Sequence, residues 1–557
     1  MSIVMQSADT VTSELSVDGT VRGRRATGRA ALELLGTLLL FAASAAWPVP
    51  DVNETVYLTK ARHAVDPAWG RGDFYLESAD GHAVFFRLLG PLTAALPLPT
   101  AAWVGRWLGW LAVAVGFHHA VGPLVPPGVW RLAAAALFAL GLRQTAAAGE
   151  WVLGGCEAKV FAWAAVLAAS GEFTRGRWGR SWVLAGGGTA IHPLVGGWAQ
   201  IALLAAAWWC RMPLLPRGGR RAAAACLAAG VALAALGVVP ALSLTAGIAA
   251  AERAAAARIY VVDRLSHHLL PRTFADGLIA RHVLAVFVWL LVRRVLPASG
   301  ARDRSDTLTA IAVAIALAGA VISIFEPWAP AATYGLLRYY WFRLSDVFVP
   351  FSLATAAAAV LADGRVLGAL GRLPAPLTRA VVLMALAADV VGQAWHWPLP
   401  GRTAPPSRAD TRVDAASWDA VCRWVADHTP GDAVFLTPRG AASFTWLTGR
   451  AEVVAWKNNP QDSRALLEWR RRIADCFSRD GSLRGMVTST AELGAERWRT
   501  VADRYGADHA IVPADTPGLD DVGWERVHRE GVYAVYRRPS PASPRSDPAA
   551  TKGDAPR

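Results

Sequence analysis

Asp51 and Glu54 stand three residues apart in AWPVPDVNETVYLTKARH (46–63), directly after a long apolar run. On a helix that spacing puts both carboxylates on one face. They can then serve as a general base and its partner, or as an N-cap with Glu at N3. The readings coexist, because a capped helix also holds an acid rigidly. Asp73 and His82 in GDFYLESADGH add two titratable groups to the same loop. Glu150, Glu157 and Lys159 in GEWVLGGCEAKVFAW (149–163) sit against an apolar run, where ionisable groups usually face a cavity or a partner. The two glutamates share a face if a helix runs through Gly154 and Gly155; a Glu157–Lys159 ion pair is the plainer alternative. In YVVDRLSHHLLPRTF (260–274), adjacent His267 and His268 point apart, which is poor zinc geometry. Arg264 with His267 suits an anion better, and an interfacial segment is the bland alternative. In EPWAPAATYGLLRYYWFRLSDVFVP (326–350), Arg343 and Asp346 are spaced to pair, leaving Arg338 for something negative.

Other chemistries are missing from the sequence. It has no GxGxxG, no P-loop, no DxD, no HExxH and no GxSxG, which disfavours nucleotide-dependent chemistry. The five cysteines show no CxxC spacing; Cys422 and Cys476 are free to pair if their domain faces an oxidising compartment.

The elements that must position these residues lie in an apolar solvent. The chain is 54% hydrophobic and 18% charged, with mean hydropathy +0.30. Apolar runs long enough to cross a ~30 Å hydrocarbon layer recur from residue 31 to 398. The net charge of +13 is concentrated in arginines of short links such as RGRRATGR (22–29), RGRWGR (175–180) and VRRV (292–295). That is the positive-inside pattern rather than a nucleic-acid footprint.

The expected fold is an all-α polytopic membrane domain of about 10–11 spans, each needing ~20 apolar residues. A small C-terminal α/β domain follows. The expected boundaries are a disordered cytoplasmic tail at 1–28, the membrane domain at 29–400 with an external loop at 51–82, the extracytoplasmic domain at 408–538, and a disordered tail at 539–557. Counting crossings leaves one apolar run too many between 83 and 170, and 83–99 with Pro91 is the candidate for a segment that does not cross. His192-Pro193 sits in the middle of the run 182–209, so a broken helix is expected there. Beyond 408, WDAVCRWVADHTPGDAVFLTP reads as helix, turn and strand. AEVVAWK, HAIVP and VYAVYRR read as strands, and DSRALLEWRRRIADCF as an amphipathic helix.

This order of parts resembles the C-type glycosyltransferase (GT-C) superfamily of integral membrane enzymes: one span, an acid-bearing external loop, many spans, then an external α/β domain. The pieces NETVYL, GDFYL, GGCEAKVFAW, HPLVGGWA, RLSHHLLP and RYYWFRLSD further resemble a bacterial multi-pass family of planctomycete type that implies no activity of its own. The superfamily resemblance implies sugar transfer from a polyprenyl-phosphate donor on the outer face of the cell membrane. It implies Asp51 or Glu54 as general base. Arg264, Arg338 and Arg343 would contact the donor phosphate, with His82, Lys159, His192 and His267 nearby. Asp73 and Glu157 would assist or hold a divalent cation. The loop lacks the paired acidic dipeptide of that superfamily. A transporter or lipid-carrier translocase, suggested by the broken helix and intramembrane acids, is the alternative; a non-catalytic glycan- or lipid-binding envelope protein is another.

Overall fold

The computed structural model describes residues 27–214, 219–370, 373–399, 401, 407–410, 412–516 and 522–539. The two tails expected to be disordered lie almost wholly outside these residues. The chain divides into two compact units, one of residues 1–68, 78–411 and 459–470, the other of 69–77, 412–458 and 471–557.

The first unit is helical, and the protein is a multi-pass membrane protein. Five of the described helices are long and apolar enough to cross a bilayer by length and composition: Thr27–Ala45, Arg220–Ser243, Gly300–Ile324, Arg343–Ala362 and Ala375–Ala394. Between them run Leu98–Val121, Val129–Thr145, Ala158–Thr174, Trp178–Ile191, Pro193–Trp209 and Asp276–Val295. Ala83–Ala95 has 13 residues, about 20 Å at 1.5 Å each, and falls short of the hydrocarbon thickness. It packs on Glu54–Val65 instead, with Gly90 so close that a Cβ there would lie 2.8 Å from the Ala61 carbonyl oxygen.

Arg343–Ala362 is the central helix and is buried along nearly its whole length. Around it, Phe117 stacks on Phe138 at 5.3 Å, and Phe41 and Phe351 meet that pair edge-on. Elsewhere small residues bring backbones together, as where Gly116 faces the Ala164 carbonyl with no room for a Cβ. That is how helices pack when lipid removes the hydrophobic drive between them.

The helices alternate between two chemically different ends. One end holds Arg29, Glu33 and Arg131 in a single network, Arg175 on the His119 carbonyl and Arg304 on the Thr174 carbonyl. The other gathers residues 51–54, 80–82, 146–157, 192, 266–272 and 338–346. Trp178–Ile191 and Pro193–Trp209 meet at His192, so the break is where the proline puts it; the His192 ring accepts the Val195 amide and caps the second helix.

The second unit is built on a five-stranded sheet of β1 (Val434–Leu436), β2 (Ala451–Glu452), β3 (His509–Pro513), β4 (Glu525–Glu530) and β5 (Tyr533–Arg537), ordered β2-β1-β3-β5-β4. β1 pairs in parallel with β2 and β3, while β5 is antiparallel to β3 and β4. The Ala415–His428 helix packs Trp418, Val421 and Val425 onto Phe435, Ile511 and Val535. AEVVAWK forms only a two-residue strand. β4 was not expected, because ERVHRE is an exposed, charged edge strand without an apolar face. None of the five cysteines forms a disulfide, so Cys422 and Cys476 do not pair with each other; both are buried thiols.

Candidate functional site

The 51–82 loop opens as a turn, with the Glu54 amide bonded to the Asp51 carbonyl, and the helix starts at Glu54 rather than at Asp51. Half of the expected capping box forms: the Glu54 Oε2 accepts the Asp51 amide at 2.7 Å. The Asp51 carboxylate turns instead to its neighbour's amide at Val52 and to Arg408, which grips both oxygens at 2.8 Å. Glu54 is fully buried. Arg106 holds both of its oxygens at 2.7 Å, and the Cys156 amide adds a fourth donor at 2.8 Å. A bidentate guanidinium and two amides occupy the four acceptor positions of a carboxylate.

Asp73 belongs to the second unit. Its carboxylate caps the Phe74–Glu77 turn through the Leu76 amide and accepts from the Thr445 hydroxyl and the Glu452 amide. Burial raises its pKa. It ties residues 69–77 to the sheet unit and takes no part in the cluster below.

In the 146–157 segment no helix runs through Gly154 and Gly155; the helix begins at Ala158 with Glu157 before it. Glu157 accepts the Asn53 side-chain amide at 3.0 Å and lies 3.6 Å from Lys159, whose ammonium sits over the Trp151 ring at 4.5 Å. The expected Arg343–Asp346 pair does not form either. Asp346 accepts the backbone amides of Ala147, Ala148 and Glu150 at 2.8, 3.0 and 3.2 Å, while Arg343 turns to the Glu150 carboxylate at 2.9 Å. One helix turn thus fixes the 146–150 loop with its aspartate and uses that loop's glutamate to aim its arginine.

Arg343 lines a cavity of about 150 Å³ together with Arg338, His192, His82, Tyr57, Tyr260, Tyr340 and Gln461. Among the described residues, no carboxylate lines it. The Arg343 guanidinium lies over the Tyr340 ring at 3.8 Å with Nη1 3.4 Å from His192 Nε2. Because His192 Nδ1 accepts the Val195 amide, Nε2 carries the proton in the neutral ring. Two donors therefore face each other, an arrangement that an oxyanion between them satisfies. Among the described residues, the Arg338 guanidinium has no ion pair and no hydrogen bond; its contact is the Tyr339 ring at 5.9 Å. Apolar Leu194, Ala241 and Leu244 complete the wall.

His82 is buried with its Nδ1 2.8 Å from Asp80, and its ring lies 4.7 Å from that of His192. Burial works to raise Asp80, but Lys60 at 3.6 Å and His82 outweigh it and hold the carboxyl below its ordinary value. With Nδ1–H on Asp80, Nε2 is the acceptor, and it has no hydrogen bond among the described residues. Burial, followed by the charges of Glu157 and Asp80, keeps the Tyr57 phenol well above its ordinary 10 and hence protonated.

The cluster thus unites His82, His192, Arg338 and Arg343. Arg264 lies on the neighbouring Ile259–Arg264 segment with Tyr260 but does not line the cavity. His267 is exposed, its ring tilted against that of His268 at 4.1 Å, and the His268 Nδ1 bonds the Ala148 carbonyl. Sequence reasoning missed Arg106, although a lone charge inside an apolar run is itself a signal for a buried partner. It also missed Asp80, which reads as a solvated loop residue, and the tyrosines, which read as core.

Residues 416–476 match a family described as a domain of unknown function, DUF6798. No curated protein matches the chain. Among solved structures, the arabinofuranosyltransferase AftD from mycobacteria is similar at 16% identity and a TM-score of 0.44, over 91% of this chain. This chain spans 41% of that protein's length. ArnT from Cupriavidus metallidurans, bound to undecaprenyl phosphate, is similar at 13% identity and a TM-score of 0.34, over 92% of this chain and 97% of its own.

Proposed function

We propose that the protein is a GT-C-like membrane glycosyltransferase that uses a polyprenyl-phosphate sugar on the outer membrane face. The observation that carries this reading is the carboxylate-free cavity in which Arg338 is unengaged and Arg343 and His192 present opposed donors. A phosphate monoester or diester accepts from all three, and the apolar wall suits the first units of a lipid tail.

In the reaction, an acceptor hydroxyl oxygen attacks the anomeric carbon and forms the new glycosidic bond. The bond from that carbon to the phosphate oxygen breaks, and the phosphate leaves with the electron pair. Arg338, Arg343 and the His192 Nε2–H stabilise the charge that grows on the leaving group. The hydroxyl proton passes to His82 Nε2, whose ring Asp80 orients through Nδ1. Asp51 and Glu54, the acids suggested by sequence, serve in this scheme as anchors of the loop, since arginines engage both.

Binding of a short-chain polyprenyl phosphate to the protein in nanodiscs tests the reading. Arg338→Ala should weaken it at least tenfold without lowering the melting temperature, because that side chain supports nothing else. Unchanged affinity would remove the phosphate from this cavity. His82→Gln should bind the lipid normally and lose about 10²-fold or more in transfer rate, the usual share of a general base.

A further inference from the structure

The arginine end of the same unit holds a cavity of about 930 Å³, at the upper edge of the ~300–1,000 Å³ common for small-molecule sites. It opens where the 122–127 loop, the 296–302 segment and the end of the central helix at Ala359 and Ala362 come together. Arg131, Arg302 and Arg365 stand in its wall, with Asp363 as the one acid among the described lining residues. Arg131 is engaged by Glu33 and by the Gly122 and Val125 carbonyls. Arg302 bonds only the nearby Pro297 carbonyl through Nη1, and the Arg365 guanidinium bonds nothing; among the described residues neither forms an ion pair. Arg302 is half-buried and Arg365 exposed, so neither donor set is sealed inside the protein.

The acids nearby are committed elsewhere. Asp363 caps the short Gly364–Leu370 helix, its Oδ1 accepting the Arg365 and Val366 amides at 3.0 and 3.3 Å. Asp306 takes Arg293 at 3.3 Å and the Trp289 indole N–H at 3.0 Å. Asp303 and Asp306 act on Arg302 only from beyond ion-pair distance. The wall therefore carries more positive than negative charge, and an oxyanion meets it; the guanidinium fork matches a phosphate in particular. The rest of the wall is largely apolar, with Leu124, Val125, Leu296 and Ala359, and Pro126 and Pro297 offer no N–H. A free, hydrated phosphate leaves that apolar surface uncovered, whereas an amphiphile covers it.

We propose that this cavity seats the phosphodiester headgroup of an anionic phospholipid from the leaflet at the arginine end. Basic pockets between membrane helices lodge such headgroups. Two of the elements that frame it, Gly300–Ile324 and Arg343–Ala362, are long and apolar enough to span, and the cavity lies at their ends, where a lipid carries its phosphate. Arg302 and Arg365 bind the phosphate, and the apolar wall takes the first part of the chains. The proposal needs neither sugar transfer nor the donor cavity: Arg343 and Ala359 lie near opposite ends of one helix, roughly 24 Å apart at 1.5 Å per residue.

The test is native mass spectrometry of the full chain, delipidated in detergent and titrated with phosphatidylglycerol, phosphatidylcholine or glycerol 3-phosphate. One phosphatidylglycerol should bind at least tenfold more tightly than phosphatidylcholine, and millimolar glycerol 3-phosphate should not displace it. The double variant Arg302→Gln, Arg365→Gln should weaken that lipid at least fivefold. Arg365→Gln alone serves if the double variant fails to fold, because the side chain supports nothing else among the described residues. Arg338→Ala should retain the lipid. Equal binding of the two lipids in the parent, or unchanged binding in a folded arginine variant, would overturn the proposal. Displacement by glycerol 3-phosphate would make this a site for soluble phosphate and overturn the lipid assignment. Loss of the lipid in Arg338→Ala, with retention in the Arg302 and Arg365 variants, would move it to the donor cavity and overturn the proposal equally.

Discussion

At the scale of single residues, Asp51 and Glu54, the acids whose spacing suggested catalysis, are each held by an arginine. Glu54 receives Arg106 and two backbone amides. A Gln there keeps the shape but leaves a buried guanidinium uncompensated, and breaking a buried pair from one side costs roughly 3–5 kcal/mol. Glu54→Gln should therefore lower the melting temperature in detergent clearly, and Arg106→Met should restore part of it. A variant that melts like the parent and loses only turnover would return Glu54 to catalysis. His268 gives a pH signature. Burial, then the charge of His267, pushes its pKa from the ordinary 6.5 to about 3. The unfolded chain therefore takes up the proton first as the pH falls. The stability tied to the neutral ring is complete above pH 6.5 and drains between 6.5 and 3. Replacing it in His268→Asn should flatten the acid side of the stability–pH curve relative to the parent; parallel curves would refute that. The residue types of the site were legible and their partners were not, because pairings such as Glu54–Arg106 and Arg343–Glu150 join positions far apart in sequence.

At the scale of elements, the proline and the hydropathy were reliable guides, while spacing within one segment was not. Pro193 ends one helix and starts another as its ring geometry requires. Asp346 shows where local spacing misleads: it lies one turn from Arg343, yet three amides of the 146–150 loop converge on it. Hydrogen bonds to a charged group contribute about 1.5–3 kcal/mol each, so that loop outcompetes a single ion pair. Asp346→Ala should destabilise the protein strongly. Adding Arg343→Met should give no rescue, since the orphaned groups are amides and not a guanidinium. Rescue by that second change would mean that the two side chains pair after all.

At the scale of the whole molecule, the two ends of the membrane unit use their arginines differently. Arginines anchor one end on backbone carbonyls and on Glu33; at the other, Arg106, Arg408 and Arg343 hold the carboxylates of Glu54, Asp51 and Glu150 beside the proposed cavity. The first end was legible in the sequence as arginine-rich links. Translocation of arginine-bearing links is disfavoured, so the arginine end should face the cytoplasm. A donor carried on a lipid at the outer face can reach the cavity only if its end faces out, so topology and the functional reading stand together. Ala68 and Ala298 are exposed positions at the two ends of the unit. In a background with the partly accessible Cys210 and Cys226 replaced, Ala68→Cys should react with a membrane-impermeant maleimide in intact cells. Ala298→Cys should react only after permeabilisation. The reverse pattern would put the anionic site on the cytoplasmic face, where an externally displayed polyprenyl-phosphate sugar cannot be its ligand.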